Sequence, residues 1–166
     1  FRIPKVADLP EIHPPLAKPN DPDYKPYRRN PETLVRQWAI PGTEGLRHRI
    51  GGLEKSDLDG SVSTDPLNHA KMVNNRRDKV QRLATRVPQQ EVFGEESGEI
   101  LVVSWGGTKG QVQTAVKEMR EKGQKISHTH FTNIMPMPSN TEEVLKKFKK
   151  ILVCELNTGQ FVNYLR

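Results

Sequence analysis

The sequence predicts an α/β fold: an open parallel sheet, incomplete within this chain, preceded by an extended proline-rich arm and a long helix. Three observations lead there. Ile100 to Trp105 is an almost unbroken apolar run with β-branched Ile100, Val102 and Val103, the pattern of a strand buried on both faces. A glycine turn follows (Gly106, Gly107, Gly110), and then Gln111 to Lys122, where Val112, Ala115, Val116 and Met119 recur at helical spacing. Two further strand-like runs each return after a helix-length segment, an alternation that parallel strands with crossover helices produce.

The elements before this unit are different in kind. Nine of the thirteen prolines precede Thr43. A segment so poor in backbone N–H groups cannot form a helix or a central strand, so residues 1–45 read as an extended arm or linker. Its Leu34, Trp38 and Ile40, with Tyr24, Tyr27 and Arg28, suit a docking strap on a partner or on a domain outside this sequence. Residues 46–97 read as a small hairpin and a long amphipathic helix. Leu46 to Ile50 is the expected first strand, Asp57 to Gly60 the turn and Ser61 to Ser63 the return. Asp65 as N-cap and Pro66 at the first helical position start the helix. Its apolar face is His69, Met72, Val73, Val80, Leu83 and Val87, its basic face Arg76, Arg77, Lys79 and Arg82, and Pro88 ends it.

Residues 98–166 hold the α/β part. Gly123 is placed as a helix C-terminal cap. Lys125 to Phe131 is the second strand, with Ile126, His128 and His130 on one face. A loop fixed by Pro136 and Pro138 leads to a capping box (Ser139 with Glu142, or Asn140 with Glu143) and a short helix bearing Val144, Leu145 and Phe148. Lys150 to Glu155 is the expected third buried strand, and Asn157 to Gln160 turns into a last helix. The chain opens on Phe1 and its alternation stops without a fourth strand, so a piece of a longer protein is expected.

Composition narrows the function classes. A net charge of +6 invites a nucleic-acid reading, but the cations are scattered among carboxylates, and the basic helix face reads as solvated; neither nucleic acid nor membrane is expected as partner. The single cysteine, Cys154, excludes an internal disulfide and any cysteine-held cluster; it reads as a packed small hydrophobe. With no spanning apolar run and no signal-peptide pattern, a soluble cytoplasmic chain is expected.

Ligands of open α/β sheets sit beyond the carboxyl ends of the strands. The candidates there are the Gly106 to Gly110 turn, His128, His130, Glu155, Asn157 and Gln160. The turn could present amides to a phosphate, giving a stand-alone phosphate- or nucleotide-binding module as the alternative function. WGGTKG, however, is neither GxGxxG nor GxxxxGK[ST]. His128 and His130 share a strand face, but no third ligand is close in sequence, and His48 reads as a surface histidine. There is no nucleophile–base pair and no paired carboxylate, so no residue of this chain is assigned a catalytic, cofactor-binding or metal role.

A resemblance adds to this reading. The run from Pro15 to Tyr27 (PLAKPNDPDYKPY), Trp38 to Gly42, Gly51 to Glu54, Asp65-Pro66 with Asn68-His69 and Lys71 to Val73, Trp105 to Thr108, and Glu155 to Gln160 resemble the alpha subunits of 2-oxoglutarate:ferredoxin oxidoreductases. The resemblance, to the 2-oxoacid:acceptor oxidoreductase family, covers essentially the whole chain; Cys154 stands where its pattern carries a proline. It implies a linker and the first part of a transketolase C-terminal-like (Rossmann-like) domain. It also implies a complex that decarboxylates a 2-oxoacid to an acyl-CoA and reduces ferredoxin. In that complex thiamine diphosphate, magnesium and an iron–sulfur cluster lie mostly with the beta subunit or other domains, and CoA is a further cofactor of the parent complex. This chain would then be a packing domain, inactive alone, with Gly106, Gly107, Thr108, Glu155, Asn157, Gly159 and Gln160 at an interface or the edge of a shared site.

Overall fold

β1 (Gly98–Trp105) is the middle strand of a three-stranded parallel sheet, ordered β2-β1-β3, in the computed structural model, which describes residues 3–166. Its apolar run is buried as its composition demands: Leu101 and Val103 are 0% exposed and Val102 4%. β2 (Ile126–Phe131) pairs along one side with Val102 opposite His128 and Ser104 opposite His130. β3 (Phe148–Cys154) pairs along the other with Val102 opposite Leu152 and Ser104 opposite Cys154.

Alternation along β1 divides its side chains between two faces. Leu101 and Val103 join Phe131, Val144, Phe148 and Phe161 under α3 (Thr141–Lys146) and α4 (Gln160–Leu165). Val102 joins Ile126 and Val116 of α2 (Lys109–Glu121) on the opposite face. A Schellman motif closes α2: the Gly123 N–H donates to Arg120 O and the Gln124 N–H to Met119 O. Gly123 takes φ +82°, the left-handed conformation expected of it.

Several expectations are corrected here. Only Val116 of the α2 stripe is buried and Val112 is half-buried, while Ala115 and Met119 are exposed, because α2 seats one edge of its stripe on the sheet. Phe148 begins β3 and does not belong to the preceding helix; Lys147 caps that helix and turns the ring into the core. β3 is not buried on both faces: it lies at the sheet edge with Leu152 55% exposed. The capping box does not form. Asn140 stands at the N-cap, but its carboxamide is taken by the Gln90 backbone, accepting from Gln90 N at 2.7 Å and donating to Gln90 O at 3.0 Å.

The residues up to Lys79 form a separate compact unit. The expected hairpin turn is present, but its first strand is not Leu46 to Ile50. Lys55 bridges Val62, Ser56 N donates to Ser61 O and Ser63 N to Glu54 O, so the arms directly flanking the turn pair with each other. The proline-rich segment contains a short 3-10 turn (Val6–Asp8) and folds back on itself through bridges between Leu16 and Trp38 and between Arg29 and Arg36. α1 (Pro66–Gln81) starts as expected, Asp65 Oδ1 accepting the Leu67 N–H at 2.9 Å. It buries only Met72; Val73 is exposed, and the chain tightens into a 3-10 turn at Arg82–Thr85 ahead of Pro88. Much of its polar surface is tied to its own unit, with His69 and Arg76 on Glu54 and Lys71 on Asp57.

Candidate functional site at the strand ends

The order β2-β1-β3 makes the carboxyl end of β1 a switch point, since the chain leaves β1 to one side for β2 and crosses to the other for β3. Crevices of this kind, where the winding reverses, are where open α/β sheets take ligands. Here the crevice is a cleft of ≈ 200 Å³ lined by Trp105, Gly106, Gly107, Thr108, Leu156 and Asn157.

Its walls are locked by local chemistry. Thr108 donates its hydroxyl to Trp105 O at 2.8 Å and accepts the Trp105 N–H at 3.3 Å, closing the turn after β1. Gly106 sits at φ +57°, while a Cβ at Gly107 or Gly110 would meet nothing within 4 Å. Only the first glycine is therefore required by the turn, and none is required by a close approach. On the β3 side, Glu155 Oε2 accepts the Phe161 N–H at 2.9 Å and Oε1 the Val162 N–H at 3.1 Å. The Trp105 indole N–H reaches the same carboxylate at 3.4 Å. Partial burial pushes the Glu155 pKa up, but these donors and Asn157 outweigh it and hold the carboxyl below the usual range. Asn157 Oδ1 accepts the Gly159 and Gln160 N–H groups at 2.8 and 3.0 Å. The first amides of α4 are thus satisfied by the chain's own side chains. Of the residues the sequence singled out, Gly106, Gly107, Thr108 and Asn157 line the cleft, Glu155 is bonded to the Trp105 indole beside it, and Gly159 and Gln160 are bonded to Asn157.

A second cleft, of ≈ 480 Å³, opens on the β2 flank. His128 and His130 line it and form a polar array with the buried Ser104, whose hydroxyl is 2.7 Å from His128 Nε2 and 2.7 Å from His130 Nδ1. Ser104 is 0% and His128 3% exposed. Burial, then repulsion by His130 and by Lys109, pushes His128 down to about 4; burial and Lys109 lower His130 as well. Both imidazoles are therefore neutral near pH 7. With one hydroxyl between two imidazoles, Ser104 donates to one ring and accepts from the other. It is sequestered and is not a nucleophile.

Sequence reasoning singled out both histidines but missed Ser104, which sits inside an apolar run, and Lys109, which follows the turn. The signal was a polar residue at an even position of β1, on the face that β2 lines with His128 and His130. Cys154 packs against Val102, Val116 and Ile126, and burial pushes its thiol up, in keeping with a packed hydrophobe. Among the described residues no three His, Cys, Asp or Glu side chains are grouped to hold a metal, and no helix is long and apolar enough to cross a membrane.

Known proteins resemble this arrangement in sequence and in fold. Residues 98–165 match pyruvate:ferredoxin oxidoreductase core domain II. Over its whole length the chain is 43% identical to the 2-oxoglutarate oxidoreductase subunit KorA of Mycobacterium tuberculosis, of which it spans 25%. It is 31% identical to the 2-oxoglutarate synthase subunit KorA of Methanocaldococcus jannaschii, over 86% of this chain and 38% of that one. A solved 2-oxoglutarate:ferredoxin oxidoreductase from Magnetococcus marinus, with 2-oxoglutarate, coenzyme A and succinyl-CoA bound, superposes with a TM-score of 0.80 at 27% identity, covering 96% of this chain and 28% of that one. The chain is similar to alpha subunits of 2-oxoglutarate:ferredoxin oxidoreductases, of which it spans only a part (25% of the Mycobacterium subunit), and its residues 98–165 match core domain II of pyruvate:ferredoxin oxidoreductase.

Proposed function

We propose that this chain is the linker and the first part of the transketolase C-terminal-like domain of an alpha subunit in a thiamine-diphosphate-dependent 2-oxoacid:ferredoxin oxidoreductase. 2-Oxoglutarate is the substrate, and the complex converts it oxidatively to an acyl-CoA in the cytoplasm. The observation that carries the reading is the whole-length identity of 43% to an alpha subunit named for 2-oxoglutarate. The role of the chain in that complex is to pack against the beta subunit and to frame the shared site with the rim from Gly106 to Thr108 and from Glu155 to Gln160. Such a role asks for rigidity, and the Thr108 clasp and the Glu155 and Asn157 caps supply it.

The donor set present here does not fit the cofactors of such an enzyme. One half-buried cysteine cannot hold an iron–sulfur cluster. No grouping of carboxylates and imidazoles among the described residues suits a magnesium diphosphate. No step is therefore assigned to groups of this chain, and thiamine diphosphate, magnesium and the cluster belong to the beta subunit or other domains, from which ferredoxin is reduced. The exposed Trp38 and Ile40 of residues 1–45 suit a strap on a neighbouring domain.

The test is co-purification of the chain, in its parent alpha subunit, with the beta subunit, followed by assay of 2-oxoglutarate- and CoA-dependent ferredoxin reduction. The complex is expected to be active, and the chain alone to show no thiamine diphosphate binding by calorimetry. Binding by the isolated chain, or an assembled complex indifferent to 2-oxoacids, would refute the reading.

A further inference from the structure

We propose that the cleft between α2 and the end of β2 binds a small organic monocarboxylate through Lys109 and His130, and that its occupant sets the hydrogen-bond direction of the buried His128–Ser104–His130 array. This inference does not rest on the function proposed above.

The cleft has the dimensions of a small-molecule site, ≈ 480 Å³. Polar side chains line it: Lys109 and Gln113 from α2, Thr132 and Asn133 from the segment after β2, and His128 and His130. Among the described residues no carboxylate pairs with Lys109. Its charge reaches both histidines and helps hold them neutral. Glu91 lines the same cleft and offsets part of the Lys109 charge, so a ligand with a single carboxylate is favoured over one with two. Val92, Phe93 and Pro138 give it an apolar wall, which suits a short hydrocarbon body better than inorganic phosphate.

The array makes the site selective in a second way. His130 uses Nδ1 on Ser104, so Nε2 is its remaining ring nitrogen for the cleft it lines. If Ser104 donates to His128 Nε2, His130 must donate through Nδ1, and its Nε2 is a bare lone pair that repels a carboxylate. If Ser104 donates to His130 Nδ1, Nε2 carries the proton and donates. No atom moves far between these states; only the two inner protons and the outer ones exchange places. An anion that binds one state alone shifts the population towards it.

The test is imidazole nitrogen NMR on the uniformly labelled chain at pH 7, titrated with propionate. The expected result is a saturable change in which His130 Nε2 becomes the protonated nitrogen and His128 responds with the opposite sense. Lys109→Gln, an exposed substitution that leaves the core intact, is expected to weaken binding about tenfold. Ser104→Ala is expected to uncouple His128 from the response. Phosphate and chloride are expected to give no saturable change. Absence of saturation with propionate to about 100 mM, two decades above a ~1 mM affinity, would overturn the proposal. So would an equal response to chloride, or a response that Lys109→Gln leaves untouched.

Discussion

Phe161→Ala tests whether the last helix is held to the sheet as described. The Phe161 ring is 3% exposed, its centroid 5.7 Å from that of Trp105 and 5.3 Å, edge-on, from that of Phe131. Truncating a buried phenylalanine costs about 3–5 kcal/mol, through lost transfer energy and the cavity left behind. The two ring contacts place this site toward the upper part of that range, since each aromatic pair adds ~0.5–1.5 kcal/mol beyond area. With a urea slope of about 2 kcal/mol per molar, a loss of ~4 kcal/mol lowers the midpoint by roughly 2 M. Trp105 fluorescence reports the transition directly, in a Trp38→Phe background that silences the tryptophan of the other unit. Leu156→Ala is the control: at 92% exposure it should change stability by less than about 0.5 kcal/mol. A Phe161→Ala loss under about 1 kcal/mol, or one equal to the control, would mean that α4 is not part of the core, and the rim it anchors would lose its rigidity argument.

Three further outcomes are expected. Asn140→Ala removes both bonds to the Gln90 backbone and should cost about 1–3 kcal/mol, read by thermal denaturation and by faster exchange of the Gln90 amide. At the turn, Gly106→Ala must enter the left-handed region at φ +57° and should cost about 1–2 kcal/mol, whereas Gly107→Ala meets open space and should be near neutral by urea titration. Acid should weaken the unit holding His128, whose pKa falls from 6.5 to about 4. The unfolded chain takes up this proton as pH drops below its ordinary value while the folded chain resists, so stability declines across that window and is flat above it. His130 is lowered too and adds the same sign. His128→Gln should flatten the slope in denaturation midpoints measured from pH 7 to 4.

The parts legible in the sequence are those decided by local patterns. β1 announced itself because burial on both faces leaves an uninterrupted apolar run, and the Asp65-Pro66 start of α1 because end chemistry is local. The likeness to 2-oxoglutarate:ferredoxin oxidoreductase alpha subunits was legible in ordered motifs spread along the chain. What stayed hidden depended on partners distant in sequence. Asn140 has the side chain of an N-cap, but Gln90, fifty residues earlier, competes for it and wins both of its polar atoms. Leu152 reads as a core residue, yet it shares the Val102 face, where α2 packs on β1 and β2 and leaves β3 uncovered. Phe148 looked helical because the apolar spacing from Val144 fits, and only the turn at Lys147 redirects it.

The two faces of the sheet divide the work between them. Under α3 and α4 an apolar cluster fixes the switch crevice by packing Phe161 against Trp105, while on β2 the buried Ser127 and Thr129 hydroxyls donate to Glu95 O and Glu91 O. On the α2 face the apolar contacts among Val102, Val116 and Ile126 stop short of the strand ends, where Ser104, His128 and His130 replace them. Burying three polar side chains there is tolerable only because each has a partner, and among the described residues no buried side-chain nitrogen or oxygen lacks one. An apolar triplet at these positions would avoid that constraint. The position of the array, with His128 and His130 on the wall of the cleft that Lys109 also lines, suits control over which imidazole nitrogen the cleft presents.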